Sequence, residues 1–467
     1  MSLEQYDFSF SLELLTDTHV GAGPEGLRPL HELRSGQLVD QARKQYQERT
    51  GLDGSPPIAT IVRGRNDAPC IPYSGLKGAL RRISDPRSHR ALFGIEPNKA
   101  QGEQGQQGKL FVWAGFPTGS LAEPPDTMPF WDQDKLTFIL PHIGSDPRRG
   151  TVAEGLLFNA EYLPAGLSFS FEGVFCGRYS EVEAALVPLF NRMAHPDGFE
   201  IGAEKTKSHG RVRLTNEQIT LHKQVYASDP PRVEESEIGI TIAPTVGKSP
   251  RRIMLDIQCE GPFLIGDPLR RTGDDAPDMS YLARRDNRPE LTGEAIKHHL
   301  RRRSAWLERT TDWESRGEAD KRDRKLNPGE SPGALTSTQR LFGVNGWAGL
   351  IAVERIELID GPSDQPTLPG VMINDFTQGV ISGALFEDEV AVDTRYVVTL
   401  GMRDRTWKGR DSEETYPNDT DEKLFRRLAS DLADNGLVLG RGEGHGFGWF
   451  ACTGIGHSAS EVADKEA

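Results

Sequence analysis

The segment Cys70-Ile71-Pro72-Tyr73-Ser74-Gly75-Leu76-Lys77-Gly78-Ala79-Leu80-Arg81-Arg82 reads as a strand end, a proline-fixed turn and a helix capped by Ser74. Its first turns carry Lys77 and Arg81. Orphan backbone N–H groups and cations there point the same way, an arrangement suited to a phosphate. A weaker copy recurs as Leu291-Thr292-Gly293-Glu294-Ala295-Ile296-Lys297-His298-His299-Leu300-Arg301-Arg302-Arg303. A Leu-Phe-Gly follows each, at Leu92-Phe93-Gly94 and at Leu341-Phe342-Gly343. Two such segments in one order point to a duplicated domain that handles nucleic acid.

Outward from these helices the repeat continues. Phe8, Phe10, Leu12 and Leu14 alternate with polar residues, the pattern of a half-buried strand. Ile253, Leu255 and Ile257 alternate in the same way with Arg252, Met254 and Asp256. A second helix is expected in each half, with the apolar stripe Val182, Leu186, Leu189 and Phe190 in one and Leu424, Phe425, Leu428 and Leu432 in the other. A glycine-bearing loop and a last strand close each half: Gly202 to Arg213, rich in cations, and Gly440 to Phe450, rich in glycine. The order strand, helix, strand, strand, helix, strand predicts an α+β chain of two tandem ferredoxin-like, RRM-like βαββαβ units with loop and hairpin insertions. Residues 1–226 form the first expected domain, 227–249 a linker and 250–467 the second.

The 467 residues exceed one ordinary domain. No stretch has the apolar length of a membrane span and no signal peptide is recognisable, so a cytoplasmic protein is expected. The formal charge of -14 runs against a nucleic-acid binder only on average, because the cations cluster at Lys77 to Arg82, Lys205 to Arg213 and Lys297 to Arg303. The cysteines Cys70, Cys176, Cys259 and Cys452 form no CxxC, which excludes the usual zinc frameworks. Nor is there a Walker-type phosphate loop or a dinucleotide fingerprint.

The segment Ile71 to Gly78, the Leu-Phe-Gly pair, the stretches ending at Glu161 and Glu389 and the two closing loops together resemble the RAMP superfamily of CRISPR-associated proteins. More narrowly, the chain is similar to two fused Cas-seven-like backbone subunits of type III effector complexes, prokaryotic and cytoplasmic. The resemblance implies RRM-like sheets with a protruding thumb hairpin, packed along a guide RNA (crRNA) beside other CRISPR effector subunits. It also implies that an aspartate after the first strand cuts target RNA with Mg2+ or another divalent cation. On that pattern Asp278 is the expected catalytic acid and metal ligand, with Asp274, Asp275 and Asp267 as alternates in the same loop. In the first copy Ile58 and Ala59 stand at the matching place, and Asp53 is the weaker candidate.

Ser74, Lys77, Arg81, Lys205, Lys207, Arg211, Lys297, Arg301, Arg441 and His445 are the expected RNA contacts. Glu294 and His298 stand where the family prefers small residues. His19 and His209, loop residues beside glycines, are read as hydrogen-bonded surface groups, and Trp449 as core. Two other functions share the fold: a free-standing RAMP endoribonuclease processing precursor guide RNA, and a non-catalytic RNA-binding scaffold. Cutting of a repeat hairpin in EDTA separates the first from the metal-dependent subunit.

Overall fold

Every second residue of the opening strand is apolar, and that parity builds the first sheet. β1 (Leu3–Leu14) buries Phe8, Phe10, Leu12 and Leu14 on one side. It lies between β3 (Ser168–Cys176) and β4 (Arg211–Leu214), antiparallel to both, and β2 (Leu110–Val112) pairs outside β3. The order is therefore β4-β1-β3-β2. In the second half β5 (Arg251–Cys259) lies between β7 (Thr394–Met402) and β8 (Trp449–His457), with β6 (Ile351–Asp360) beyond β7. The order is β8-β5-β7-β6. The computed structural model describes residues 3–23, 26–51, 54–95, 105–119, 128, 130–145, 152–227, 232–245, 251–267, 277, 279–283, 288–311, 325–363, 365–374, 376–409 and 412–457.

Helices seal one face of each sheet, giving a mixed α+β chain. α1 (Tyr73–Ile83) turns Leu76, Ala79 and Leu80 inward, and α2 (Val187–Met193) turns in Leu189 and Phe190. α3 (Gly293–Thr311) and α4 (Asp419–Asn435) do the same with Ile296 and Leu300, and with Leu424, Phe425, Leu428 and Leu432. Phe10 stacks on Phe171 at 5.1 Å and meets the second helix through Phe190, which stands edge-on to Phe8 at 5.3 Å. Each buried phenyl ring stabilises the fold by roughly 1.5–3 kcal/mol. Each half has its own core.

Three expectations change in detail. α1 starts at Tyr73 with Pro72 as its extended N-cap, so Ser74 lies inside the first turn and makes no capping bond. Residues 227–249, expected as a linker, supply the strand Arg232–Thr241, which pairs with Gln218–Ala227 and widens the first sheet. The second helix of the first half is π-wound over Val182–Leu186 before becoming α-helical.

A hairpin rises from each half, between β2 and β3 in the first and between β6 and β7 in the second: Phe138–Ser145 with Val152–Tyr162, and Thr367–Ile373 with Val380–Glu389. A short strand from the loop after β1 or β5 runs parallel to each, Pro57–Ala59 in the first half and Met279–Tyr281 in the second. At the second turn Phe376 is 97% exposed. No helix among the described residues is long and apolar enough to cross a membrane.

Candidate nucleic-acid interface

The burial of Leu76, Ala79 and Leu80 forces the opposite face of α1 outward. Ser74, Lys77, Gly78 and Arg81 are all exposed on it, one or two turns from the helix start. No carboxylate among the described residues pairs with Lys77 or Arg81. The first-turn N–H groups of α1 and these two cations share a solvent-facing surface, which suits a polyanion.

The two closing loops have one conformation despite different sequences. At an offset of 238 (440 − 202), positive φ occurs at Gly202 (70°) and Gly440 (88°), and at Gly210 (77°) and Gly448 (78°). Between them Glu204 (54°) and Ser208 (70°) match Gly442 (88°) and Gly446 (81°). The hydrogen bonds match as well: Ala203 N donates to His19 O at 2.9 Å, and Arg441 N to Leu264 O at 2.8 Å. A Cβ on Gly202 would stand 2.4 Å from His19 O, and on Gly440 2.5 Å from Leu264 O. Side chains at 204 and 208 in a left-handed backbone are costly, so tertiary contacts must hold them.

Those contacts lie between the halves. Val353 N donates to Thr206 O at 3.1 Å, adding the first loop to the edge of β6. Gly293 starts α3 directly beneath it, where a Cβ would come within 2.4 Å of Lys207 O. Lys207, expected on RNA, instead bridges Glu204 at 2.9 Å and Glu294 at 3.0 Å. Glu294 also meets His142 at 3.1 Å, so it clamps the junction and does not oppose a phosphate. Arg211 is likewise turned inward, onto Glu354 at 3.1 Å. Burial pushes the Glu204 carboxyl up, but His142, Lys207 and the Tyr162 hydroxyl outweigh it and hold it at about 2. Burial lowers Lys207, yet the two carboxylates leave it raised.

Lys297 and Arg301 diverge from their first-copy counterparts. The Lys297 amine donates to the Thr206 hydroxyl at 2.6 Å, and burial together with repulsion from Lys207 and Arg403 lowers it to about 7. Arg301 Nη1 donates to Gly343 O at 2.6 Å, joining α3 to the glycine after the second Leu-Phe. Lys205 lines the gap between the halves. Arg441 and His445 are exposed on the second loop.

Asp53, Asp274, Asp275 and Asp278 lie outside the described residues, and of Asp267 only the backbone is placed, paired with Ser280. Ile58 is completely buried. Among the described residues no three His, Cys, Asp or Glu side chains gather as metal ligands. Glu161 is fully buried and accepts from Arg63 at 2.5 Å, Thr137 at 2.7 Å and Arg34 at 3.2 Å, which makes it the anchor of the first hairpin.

Other expectations shift by parity. His19 is buried, its Nδ1 bonded to Glu161 O at 2.7 Å. His209 is half-buried, its Nδ1 3.3 Å from Asp17 O. Trp449 is 55% exposed because its neighbour Phe450 takes the core side of β8. Arg82, Arg403 and Arg405 stand in the gap beside Lys205; the sequence marked Arg82 as a helix cation and did not single out Arg403 or Arg405. Only the pair Arg81-Arg82 gave any signal of them.

A family model described as the RAMP superfamily matches this chain twice, over residues 11–213 and 256–451. No curated protein matches the chain.

Proposed function

Because the chain belongs to the RAMP superfamily, we propose that it is a backbone subunit of a type III CRISPR ribonucleoprotein. Membership itself gives the coarser assignment, a CRISPR-associated RNA-binding protein. On the finer reading the chain is two Cas-seven-like copies that hold a guide RNA beside other effector subunits and cut the complementary target. The observation that carries it is the exposed face of Ser74, Lys77 and Arg81 on the first turns of α1, paired with no carboxylate among the described residues. A guide must be held whatever its spacer sequence, so contacts of this kind belong on phosphates.

The same reading makes each half a ferredoxin-like βαββαβ unit with a thumb hairpin. The repeated order β4-β1-β3-β2 and β8-β5-β7-β6 supports it, as do one hairpin per half and the matched closing loops.

Cutting is assigned to the second copy. Met279 pairs in parallel with Asp388 as Ala59 pairs with Ala160, and in the sequence Asp278 directly precedes the one as Ile58 precedes the other, which supports matching them. A buried isoleucine there supports a silent first copy. The acid at 278 orients the attacking 2′-hydroxyl or holds a divalent cation beside the scissile phosphate. In the assembled complex Asp278→Ala is expected to keep guide and target binding and to lose one cut at a fixed position in the RNA ladder. Asp53→Ala is expected to leave that cut intact. A full ladder from Asp278→Ala, or loss of the same product in Asp53→Ala, overturns the assignment.

A further inference from the structure

A cavity of about 1060 Å3 opens between the two halves, and its charge is not balanced from within. Carboxylates border it, but most are already claimed. Asp197 and Glu354 hold Arg252 at 2.6 and 2.7 Å, Glu204 holds Lys207, and Asp404 meets Arg251 at 3.0 Å. Among the described residues Glu200 alone faces the remaining cations, and it already serves Arg403 and, at 3.7 Å, Arg211. Among the described residues Arg82, Lys205 and Arg405 have no carboxylate partner.

The contacts of Arg82 and Arg405 are with neutral groups. Arg82 Nη2 donates to the Glu200 backbone carbonyl at 2.7 Å. The guanidinium of Arg405 lies 5.9 Å from the centre of the Trp347 ring, and its Nε is buried with no acceptor. A buried guanidinium N–H without a partner is rare in a folded protein and needs a reason. Burial lowers the pKa of all three, and repulsion from Arg403 and among themselves adds to it, while Glu200, already shared with Arg403 and Arg211, opposes the shift without reversing it. Glu200 alone is too little counter-charge for Arg82, Lys205, Arg403 and Arg405 gathered in one cleft; a dianionic or polyanionic ligand supplies the rest.

We propose that this junction cleft is a phosphate receptor, holding the phosphodiester backbone of bound RNA where the strand passes from the first copy to the second. The inference rests on the reading of the chain as an RNA binder. Three features select this ligand. Arginine forks match phosphate oxygens better than any other common anion but carboxylate. The cleft is continuous with the α1 face, because Arg82 follows Arg81 directly and reaches into it. Its walls come from both copies, Arg82 and Lys205 from one and Arg403 and Arg405 from the other, so neither copy alone forms it.

The test uses the full chain and the double variant Lys205→Ala/Arg405→Ala, with Lys205→Gln as a milder second variant. Both remove repulsion and are expected to fold. Single-stranded RNAs of unrelated sequence are titrated over a range of salt, and inorganic pyrophosphate is titrated separately. The double variant is expected to bind every RNA roughly tenfold more weakly and to lower the log–log salt slope by about 1.4, two contacts at about 0.7 each. Unchanged affinity and slope in both variants, with RNA still bound, overturns the cleft and leaves the RNA reading standing. If no form of the chain binds RNA but pyrophosphate protects only the wild type against heat, the cleft holds a free phosphate ligand and its assignment to RNA is overturned. No binding of either ligand overturns both readings.

Discussion

Glu204 carries the clamp between the halves, and replacing it with glutamine measures that clamp. Its side chain is 17% exposed, donated to by Lys207 at 2.9 Å and by the Tyr162 hydroxyl. A carboxyl held at about 2 against its ordinary 4.5 corresponds to about 3 kcal/mol of stability at neutral pH. Lys207 keeps Glu294 at 3.0 Å, and an amide oxygen still accepts from Tyr162, so Glu204→Gln is expected to cost about 2 kcal/mol. That corresponds to roughly 4–8 °C in melting temperature for a unit of this size. The sign with pH follows from the depressed carboxyl. Its contribution is complete above about 4.5 and drains away as pH falls toward about 2. Chemical denaturation of both proteins at stepped pH should therefore show a gap that is widest near neutrality and closes in acid. A gap of constant size across that range, or none at pH 7, refutes the electrostatic account of the junction.

Glu161→Ala should destabilise the first half by about 3–5 kcal/mol, because it removes the buried carboxylate that Arg34 and Arg63 share and leaves them only the longer pairs with Asp132 at 3.6 Å and Asp67 at 3.7 Å; thermal unfolding checks it, and a loss under 1 kcal/mol contradicts it. Lys297 is lowered in the folded protein by burial and neighbouring cations, so the unfolded chain binds the extra proton between about pH 7 and its ordinary 10.5. Stability should rise with pH across that window in the wild type and rise less in Lys297→Met, as read by denaturant midpoints at pH 7 and 9.5.

Much of this architecture is written in local pattern. The alternation at Phe8 to Leu14 and at Ile253 to Ile257 marks the two central strands, and the spacing of Leu424, Leu428 and Leu432 marks the buried stripe of α4. Ile238, Ile240 and Ile242 carry the same alternation, and that signal placed a strand where an acidic run suggested a linker. Parity also puts Trp449 outward once Phe450 is taken inward.

Charge partners were less legible. Lys207 and Arg211 look like RNA contacts because their carboxylates, Glu294 and Glu354, come from the other half of the chain. The one local hint was Glu294 itself, an acid at the head of a helix otherwise suited to phosphate. Lys77 and Lys297 match in sequence but not in surroundings, since only the second lies under a neighbouring loop. The closing loops show the converse, with one backbone path held by glycine in the second copy and by the junction in the first.

The sequence-independent grip of α1 is tested most directly by the salt dependence of RNA binding to the full chain, with Lys77→Ala/Arg81→Ala beside the wild type. Two guide RNAs of unrelated spacer sequence should bind the wild type equally, and the variant should weaken both alike while its log–log slope falls by about 1.4. A loss confined to one sequence, or a slope unchanged by removing both cations, would contradict it.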